Sequence, residues 1–456
     1  LRITTRQAFQ FHGIIKGNLR ASIQAIDAQA LDTIAACGDV NRNVMCTPLP
    51  ESSRVYAAAL EHARHISDHL TPRTGAYREI WLDGKKLSDA QEDEVEPIYG
   101  DRYLPRKFKI AMAIPPQNDV DVLAHDLGFI AIERGGRLIG FNVTVGGGMG
   151  ATHNNPATFP RVADVLGFCT PSQAVAVAEH IVTIQRDFGD RTERKHARFK
   201  YTVADRGLEW LRREFAARAG FSLLKPAPFA FDHVGDRYGW QRGDDGQWHV
   251  TLYVPAGRLK DGEHRRWMTG MREIARVHTG DFRLTANQNV IVANIAPERR
   301  ATIEALLESH GLDQWAALTP LALNALACVA LPTCSLAMAE AERYLPDLLS
   351  KVQGLLDNHG LTQADLVLRI TGCPNGCARP YLADIALVGK APGRYNLFLG
   401  GGAAGQRLAD LVHENLAEAD ILTELDGLFG RYAAERLDGE AFSDYLRRER
   451  LREAAA

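Results

Sequence analysis

Four of the chain's seven cysteines fall in two pairs, and no other feature narrows its fold and chemistry as much. Cys328 and Cys334 lie in Ala-Cys-Val-Ala-Leu-Pro-Thr-Cys at 327–334 and enclose five residues. Cys373 and Cys377 lie in Thr-Gly-Cys-Pro-Asn-Gly-Cys at 371–377 and enclose three. Four thiolates are the usual ligand set of an iron–sulfur cluster. Structural zinc also takes four, but its pairs are spaced more closely than Cys328 and Cys334. Thiols without a metal are the third reading. A disulfide framework is disfavoured by the odd total, the remaining cysteines, Cys37, Cys46 and Cys169, being scattered and read as small core filler.

The flanking pattern says how the pairs meet. Ser335 to Leu345 is rich in Ala, Leu, Met and Glu and predicts a helix. Pro346 suits the first turn of a second helix, which Asn358-His359-Gly360 ends. Leu366 to Ile370 predicts a short strand, and Gly372 with Pro374-Asn375-Gly376 the loop after it. One cysteine pair then precedes a helix and the other tops a strand.

The chain also repeats itself. Arg2-Ile3-Thr4-Thr5-Arg6-Gln7 matches Arg283-Leu284-Thr285-Ala286-Asn287-Gln288. Phe141-Asn142-Val143-Thr144-Val145-Gly146-Gly147-Gly148 matches Tyr395-Asn396-Leu397-Phe398-Leu399-Gly400-Gly401-Gly402. Matches in the same order imply two related halves, of which only the second carries the cysteine pairs.

The spacing C-x5-C, 38 residues, C-x3-C resembles the signature of sirohaem-containing sulfite and nitrite reductases. The resemblance runs essentially the whole length and is nearest to the NADPH-dependent assimilatory branch. It implies a 4Fe–4S cluster on Cys328, Cys334, Cys373 and Cys377, with the sulfur of Cys377 shared between the cluster and the sirohaem iron.

Period-two spacing puts Arg2, Thr4 and Arg6 on one strand face, and Gln10 with His12. By periodicity alone this is a solvated face. The resemblance makes it a sirohaem-binding strand, since that cofactor's many carboxylates need cations that arginine can pair in bidentate fashion. It extends the binding set to Arg106 and Asn375. Tyr103 to Lys109 leads into a strand through Ile114, with Lys107 and Lys109 on one face and Arg106 and Phe108 on the other. Such lysines are usually solvent-facing. The resemblance makes Arg42, Lys107 and Lys109 three of four basic residues that hold the anionic substrate. The resemblance places the fourth, an arginine, upstream of Leu1; the opening Leu1-Arg2-Ile3-Thr4-Thr5 lacks Met and reads as a strand interior, so an N-terminal segment is expected to precede it. Nitrite enzymes of the family tend to carry a neutral side chain in place of Lys109, so the lysine favours sulfite.

Two glycine-rich runs, 146–151 and 400–405, fit dinucleotide-loop spacings. Both follow the duplicated strand, and Gln406 to Leu425 reads as mostly helical, which leaves no second strand ending in an acidic residue. NADPH binding on this chain is therefore rejected. A helical stretch is expected over Ile23–Ala36, with others over Ala174–Arg186 and Leu208–Ala219. The basic run Arg191–Lys200 reads as a solvated face or partner contact.

With 46% hydrophobic and 24% charged residues, the 456-residue chain reads as an ordinary globular protein of several domains. A net charge of −3 gives no bulk attraction to nucleic acid or anionic membrane. The richest apolar run, Leu318 to Leu331, is broken by Pro320 and Asn324 and is too short to span a bilayer. A reducing cytoplasm fits the cysteines. The resemblance implies an α+β fold of three intertwined domains around a two-fold pseudo-repeat. Residues 1–34 with 241–313 form a ferredoxin-like domain incomplete at its N-terminus, 35–240 a first sirohaem and substrate domain, and 314–456 the cluster domain. It further implies six-electron reduction of sulfite to sulfide, fed by a separate NADPH-oxidising flavoprotein subunit carrying FAD and FMN. A ferredoxin-dependent sulfite or nitrite reductase is the near alternative. The distant one is a non-catalytic protein whose four cysteines bind a structural metal or carry electrons.

Overall fold

Phe108, Ile110 and Met112 alternate with Lys109, Ala111 and Ala113, the two-residue period of a strand. In the computed structural model the first three enter one core, and Ala111 and Ala113 enter another. Burial on both faces belongs to strands inside parallel sheets. The structure describes residues 1–73, 81–82, 85–86, 95–402 and 404–455.

The strands in chain order begin with β1 (Arg2–Ile3), β2 (Phe9–Gln10), β3 (Asn41–Cys46), β4 (Trp81–Leu82) and β5 (Lys85–Lys86). Next come β6 (Phe108–Ala113), β7 (Leu127–Arg134), β8 (Arg137–Val145) and β9 (Asp164–Cys169). Then follow β10 (Gly239–Arg242), β11 (Trp248–Leu252), β12 (Asp281–Leu284) and β13 (Val290–Ile295). The last are β14 (Leu326–Ala327), β15 (Leu368–Thr371), β16 (Ile385–Ala391), β17 (Arg394–Leu399) and β18 (Asp410–Leu416). Helices used below are α1 (Leu19–Asp27), α2 (Arg54–Leu70), α3 (Ala174–Phe188), α4 (Phe199–Arg206) and α5 (Leu208–Ala219). Beyond them lie α6 (Trp267–Val277), α7 (Arg300–Ser309), α8 (Pro320–Leu323), α9 (Leu345–Asn358), α10 (Glu418–Glu435) and α11 (Phe442–Ala455).

Two five-stranded sheets share one topology. β3-β6-β7 run parallel and β8 and β9 return antiparallel; β14-β15-β16 run parallel and β17 and β18 return antiparallel. A helix crosses over between the first two strands of each, α2 or α9, and packs against the helix that follows the last strand, α3 or α10. The glycine runs are the same turn twice: Gly146 and Gly400 have φ of 81° and 82°. At Gly147 an added Cβ would lie 2.3 Å from the Leu123 carbonyl oxygen, and at Gly401 2.4 Å from that of Ala383. Among the described residues each run leads to an antiparallel strand and not directly to a helix, unlike the strand–loop–helix of a dinucleotide site.

The hairpins repeat too. β1-β2 and β12-β13 are antiparallel, and in each a threonine amide, Thr4 or Thr285, donates 2.9 Å across the turn to Ala8 or Asn289. Gln7 and Gln288 take the positive φ that closes it, 51° and 69°. The second hairpin belongs to the sheet β10-β11-β13-β12, whose core also takes Ile3 and runs to Leu312. A second core spans Ala35 to Phe215, and a third Leu321 to Tyr445.

Several local expectations fail, each for a visible reason. Residues 335–343 are turns, not helix, because the Met338 and Ala339 amides donate to the Gly372 carbonyl and Glu342 donates to that of Cys328. Those tertiary bonds replace the i−4 ladder. The expected helix over Ile23–Ala36 is α1, which stops at Asp27, and beyond it the Asp32 carboxylate takes the Ile34 amide at 2.8 Å in a local turn. Gln406–Leu425 contains β18 before α10 begins. The opening residues are no continuous strand: Thr5-Arg6-Gln7 is a turn, so Arg2 and Arg6 share no strand face. Among the described residues no helix is long and apolar enough to cross a membrane.

Candidate active site

The cysteine loops interlock through the backbone. Cys328 follows β14 and its amide bonds the Ile370 carbonyl at 3.2 Å; the amide of Gly372 donates to Cys328 Sγ at 3.3 Å. Gly372 is required, since a Cβ there would lie 2.6 Å from the Ala339 carbonyl oxygen and 2.7 Å from the Ala330 Cβ. All four thiols are free. They interact: Cys328 with Cys373 and Cys377, and Cys373 with Cys334 and Cys377. Burial pushes the Cys328 thiol up to about 12, the neighbouring thiols adding to it, and burial likewise raises Cys373. Asn375 is exposed and bonds Cys373 through both backbone and side chain. Among the described residues no three His, Cys, Asp or Glu side chains converge tightly enough for a single ion. A cubane sits between more widely spaced sulfurs than a mononuclear zinc, whose Zn–S bonds are only about 2.3 Å.

Cations gather on the side of Cys377. Lys107 and Lys109 are half-buried at the start of β6, and both lie within the field of Cys377. Burial lowers the pKa of each, and for Lys109 Arg6 and Lys107 lower it further. Arg6 projects from its turn to the Asn43 carbonyl, while its Nε and Nη1 are buried with no protein partner. Burial, then the charge of Arg379, brings Arg6 down to about 9. Arg106 stands nearby, its pKa lowered by burial and by Arg194.

The other expected residues are less alike. Arg2 is buried, donates to the carbonyls of Ala256 (3.1 Å) and Ala327 (2.8 Å), and pairs with Glu342 at 3.0 Å. It lies in the fields of Cys328 and Cys377. Thr4 Oγ1 accepts the Arg6 amide at 3.2 Å and so shapes the turn. His12 Nδ1 is 3.0 Å from Arg258 Nη1. Gln10 is exposed and lies in register with Arg2. Arg42 is within the field of Arg6 and Lys107, but its guanidinium is held by the Ala36 (2.6 Å) and Gly38 (3.0 Å) carbonyls of its own loop.

The basic run divides: Arg191–Lys195 are exposed, as expected of a solvated face, whereas Arg198 and Lys200 turn inward. Arg191 and Arg194 bind the 102–105 segment and Asp39. Arg198 makes a two-point contact with Asp126, at 2.8 and 3.3 Å. Fully buried Lys200 donates to the carbonyls of Gly148 (3.1 Å), Gly150 (2.5 Å) and Phe159, clamping the first glycine turn. Asp126, 0% exposed, also takes the Lys109 backbone amide at 2.9 Å. Sequence patterning missed Asp126, Arg198 and Lys200. Aligning the repeats would have exposed the first, because Asp384 precedes β16 as Asp126 precedes β7.

These residues fit a polyanionic haem beside a thiolate-bound cluster: unpartnered buried guanidinium nitrogens, lysines short of counter-charge, and four thiols linked through Cys373. A model described as the nitrite and sulphite reductase 4Fe-4S domain matches residues 61–223, the repeat without the cysteine pairs. One described as the nitrite/sulfite reductase ferredoxin-like half domain matches 241–310. The Myxococcus xanthus protein named sulfite reductase (NADPH) hemoprotein beta-component is 59% identical over 446 residues, 98% of this chain and 79% of that protein. The Geobacillus kaustophilus protein of the same name is 56% identical over 448 residues, 98% of this chain and 78% of that protein. The Mycobacterium tuberculosis NirA structure shares the fold, with a TM-score of 0.78 at 24% identity over 98% of this chain and 78% of that one. The chain belongs to the nitrite and sulphite reductase family. Within it, the relatives of highest identity named above are haemoprotein beta-components of NADPH-dependent sulfite reductases.

Proposed function

We propose that the chain is the haem-carrying subunit of an assimilatory, NADPH-dependent sulfite reductase, catalysing six-electron reduction of sulfite to sulfide. The observation that carries this is that Lys107 and Lys109, from one repeat, lie within the electrostatic reach of Cys377 of the other. Cys328, Cys334, Cys373 and Cys377 hold a 4Fe–4S cluster. Arg2, Thr4, Arg6, Gln10, His12, Arg106 and Asn375 would hold a sirohaem, and Cys377 would serve both groups. When bound, the two groups supply electrons and an iron site for the substrate.

Arg42, Lys107 and Lys109 hold the anion and stabilise charge as it develops. Buried ammonium groups with lowered pKa give up protons readily, so the lysines serve as donors as S–O bonds break. Arginine stays protonated and only orients. To reach the anion, the Arg42 guanidinium exchanges its loop carbonyls for substrate oxygens. Electrons arrive from a flavoprotein subunit carrying FAD and FMN and oxidising NADPH. A cytoplasmic setting belongs to the same proposal, supported by seven free cysteines. So does the division into 1–34 with 241–313, 35–240 and 314–456, which the three cores support.

The test is the visible spectrum of the purified protein, followed by sulfite and then nitrite added to the reduced form. Intense haem bands that shift with sulfite are expected. A colourless, zinc-loaded protein would sink the proposal.

A further inference from the structure

Arg379 stands two residues beyond Cys377 and has no part in the roles above. Its counterpart in the first repeat is Asp121. Each is a left-handed residue, φ 52° and 48°, that opens a short 3-10 turn, 380–382 and 122–124. The counterparts bond each other, Nε of Arg379 donating to Asp121 Oδ2, so this ion pair crosses the pseudo-two-fold axis. Both are buried.

The remaining donors of Arg379 divide between the two copies of the repeated hairpin. Nη1 donates to the Thr5 carbonyl at 3.1 Å; Nη2 donates to the Ala286 carbonyl at 3.1 Å and to Asn287 Oδ1 at 3.3 Å. Thr5 and Ala286 hold the same position in the two turns, directly after Thr4 and Thr285. Thr5 then closes a ring, its Oγ1 donating to the Cys377 carbonyl at 2.9 Å. From beneath, buried Arg369 of β15 donates to the Arg379 carbonyl at 3.1 Å and pairs with Asp121 at 2.7 Å.

We propose that Arg379 is a positioning residue for Cys377: with Asp121 and Thr5 it locks the loop carrying that thiol against the first hairpin and fixes where its sulfur points. This rests on the reading that Cys377 joins cluster and haem. A planar fork is needed, since a carboxylate and three further oxygens are reached from one side chain. Lysine, a point charge on a flexible stem, cannot span them.

The experiment compares the complete chain, produced with its cofactors, with Arg379→Lys, Arg379→Gln and Thr5→Val. Iron and sulfide content, visible and electron paramagnetic resonance spectra, and dye-linked sulfite kinetics are read for each. Both Arg379 variants are expected to retain the metal centres, to show shifted haem bands, and to lose at least about tenfold in kcat with KM changed less than about twofold. Thr5→Val, which removes one exposed hydrogen bond, shifts the bands in the same direction by less. Wild-type spectra and kcat in Arg379→Lys would overturn the proposal. If the Arg379 variants do not fold, Thr5→Val decides, and an unchanged spectrum there overturns it. A wild-type chain without haem bands would instead overturn the functional reading beneath it.

Discussion

Asp126 and Asp384 hold the same place in the two repeats, each one residue before the third strand and each accepting a backbone amide from the second strand or its approach, Lys109 at 2.9 Å and Val367 at 2.8 Å. They differ in what else they meet. Asp126 receives the guanidinium of Arg198, whereas among the described residues no arginine bonds Asp384, whose carboxyl burial pushes up to about 6. One inherited carboxylate thus remains structural, and the other has become the counter-charge of a cationic pocket.

Asp126→Asn removes that counter-charge while keeping the amide bond. Loss of the ion pair is expected to cost about 1.5–3 kcal/mol of stability, read by denaturant unfolding. Arg198 then acts uncompensated on Lys107 and Lys109, which already sit below their ordinary pKa. A donor must be protonated, so the alkaline limb of kcat moves to lower pH. An unmoved limb would show that the lysines do not donate.

The native lysines give a sign test of their own. Burial holds Lys109 well below the ordinary lysine range when folded, so the unfolded chain binds more protons between the two pKa values. The contribution of this group to stability rises with pH across that window, while its capacity to donate falls. Lys109→Met is expected to flatten both slopes, measured as unfolding free energy and dye-linked rate against pH.

On the proposed function, substrate choice rests on Lys109. Sulfite's second charge must be balanced in a partly desolvated pocket, where a missing cation costs more than in bulk solvent. Lys109→Asn is expected to reduce kcat/KM for sulfite much more than for nitrite, and Lys107→Ala to reduce both. The measurement uses a reduced dye as donor. Equal losses for the two substrates would remove any support this position gives to sulfite.

The proposed assignment divides the cysteines by role. Cys377→Ser is expected to disturb both cluster and haem spectra, and Cys46→Ala, in the buried core, to leave both nearly unchanged. Equal spectral damage would mean that the ligands have been assigned wrongly.

The duplicated glycine turn offers a comparison within one chain. Gly147→Ala and Gly401→Ala drive a Cβ to 2.3 and 2.4 Å from a carbonyl oxygen. Each is expected to lower stability by about 1–3 kcal/mol. A large inequality in Tm would mean that one sheet yields where the other cannot.

The cysteine pairs, the duplication and the alternation about Lys109 were legible because each is a regular spacing or a repeated string. The loop 335–343 was not: its composition favours helix, but its amides are claimed by Gly372 and Cys328, partners that sequence proximity does not reveal. Arg198 and Lys200 hid in a charge run for the opposite reason. Their spacing suggests a solvated surface, and only tertiary structure supplies the buried carboxylate and three carbonyls that hold them.

The bond from Thr5 to the Cys377 carbonyl joins residues 372 positions apart. A ribosome adding 5–20 residues per second takes roughly 20–75 s to make that interval. The core spanning Ala35 to Phe215 is complete in sequence well before then. The pocket's cations therefore emerge early and wait beside an open hairpin, and the thiols arrive last. On the proposed ligand assignment, cluster capture would wait for translation of the second repeat, and a chain cut short between Cys334 and Cys373 would carry the cationic wall with two of the four proposed ligands.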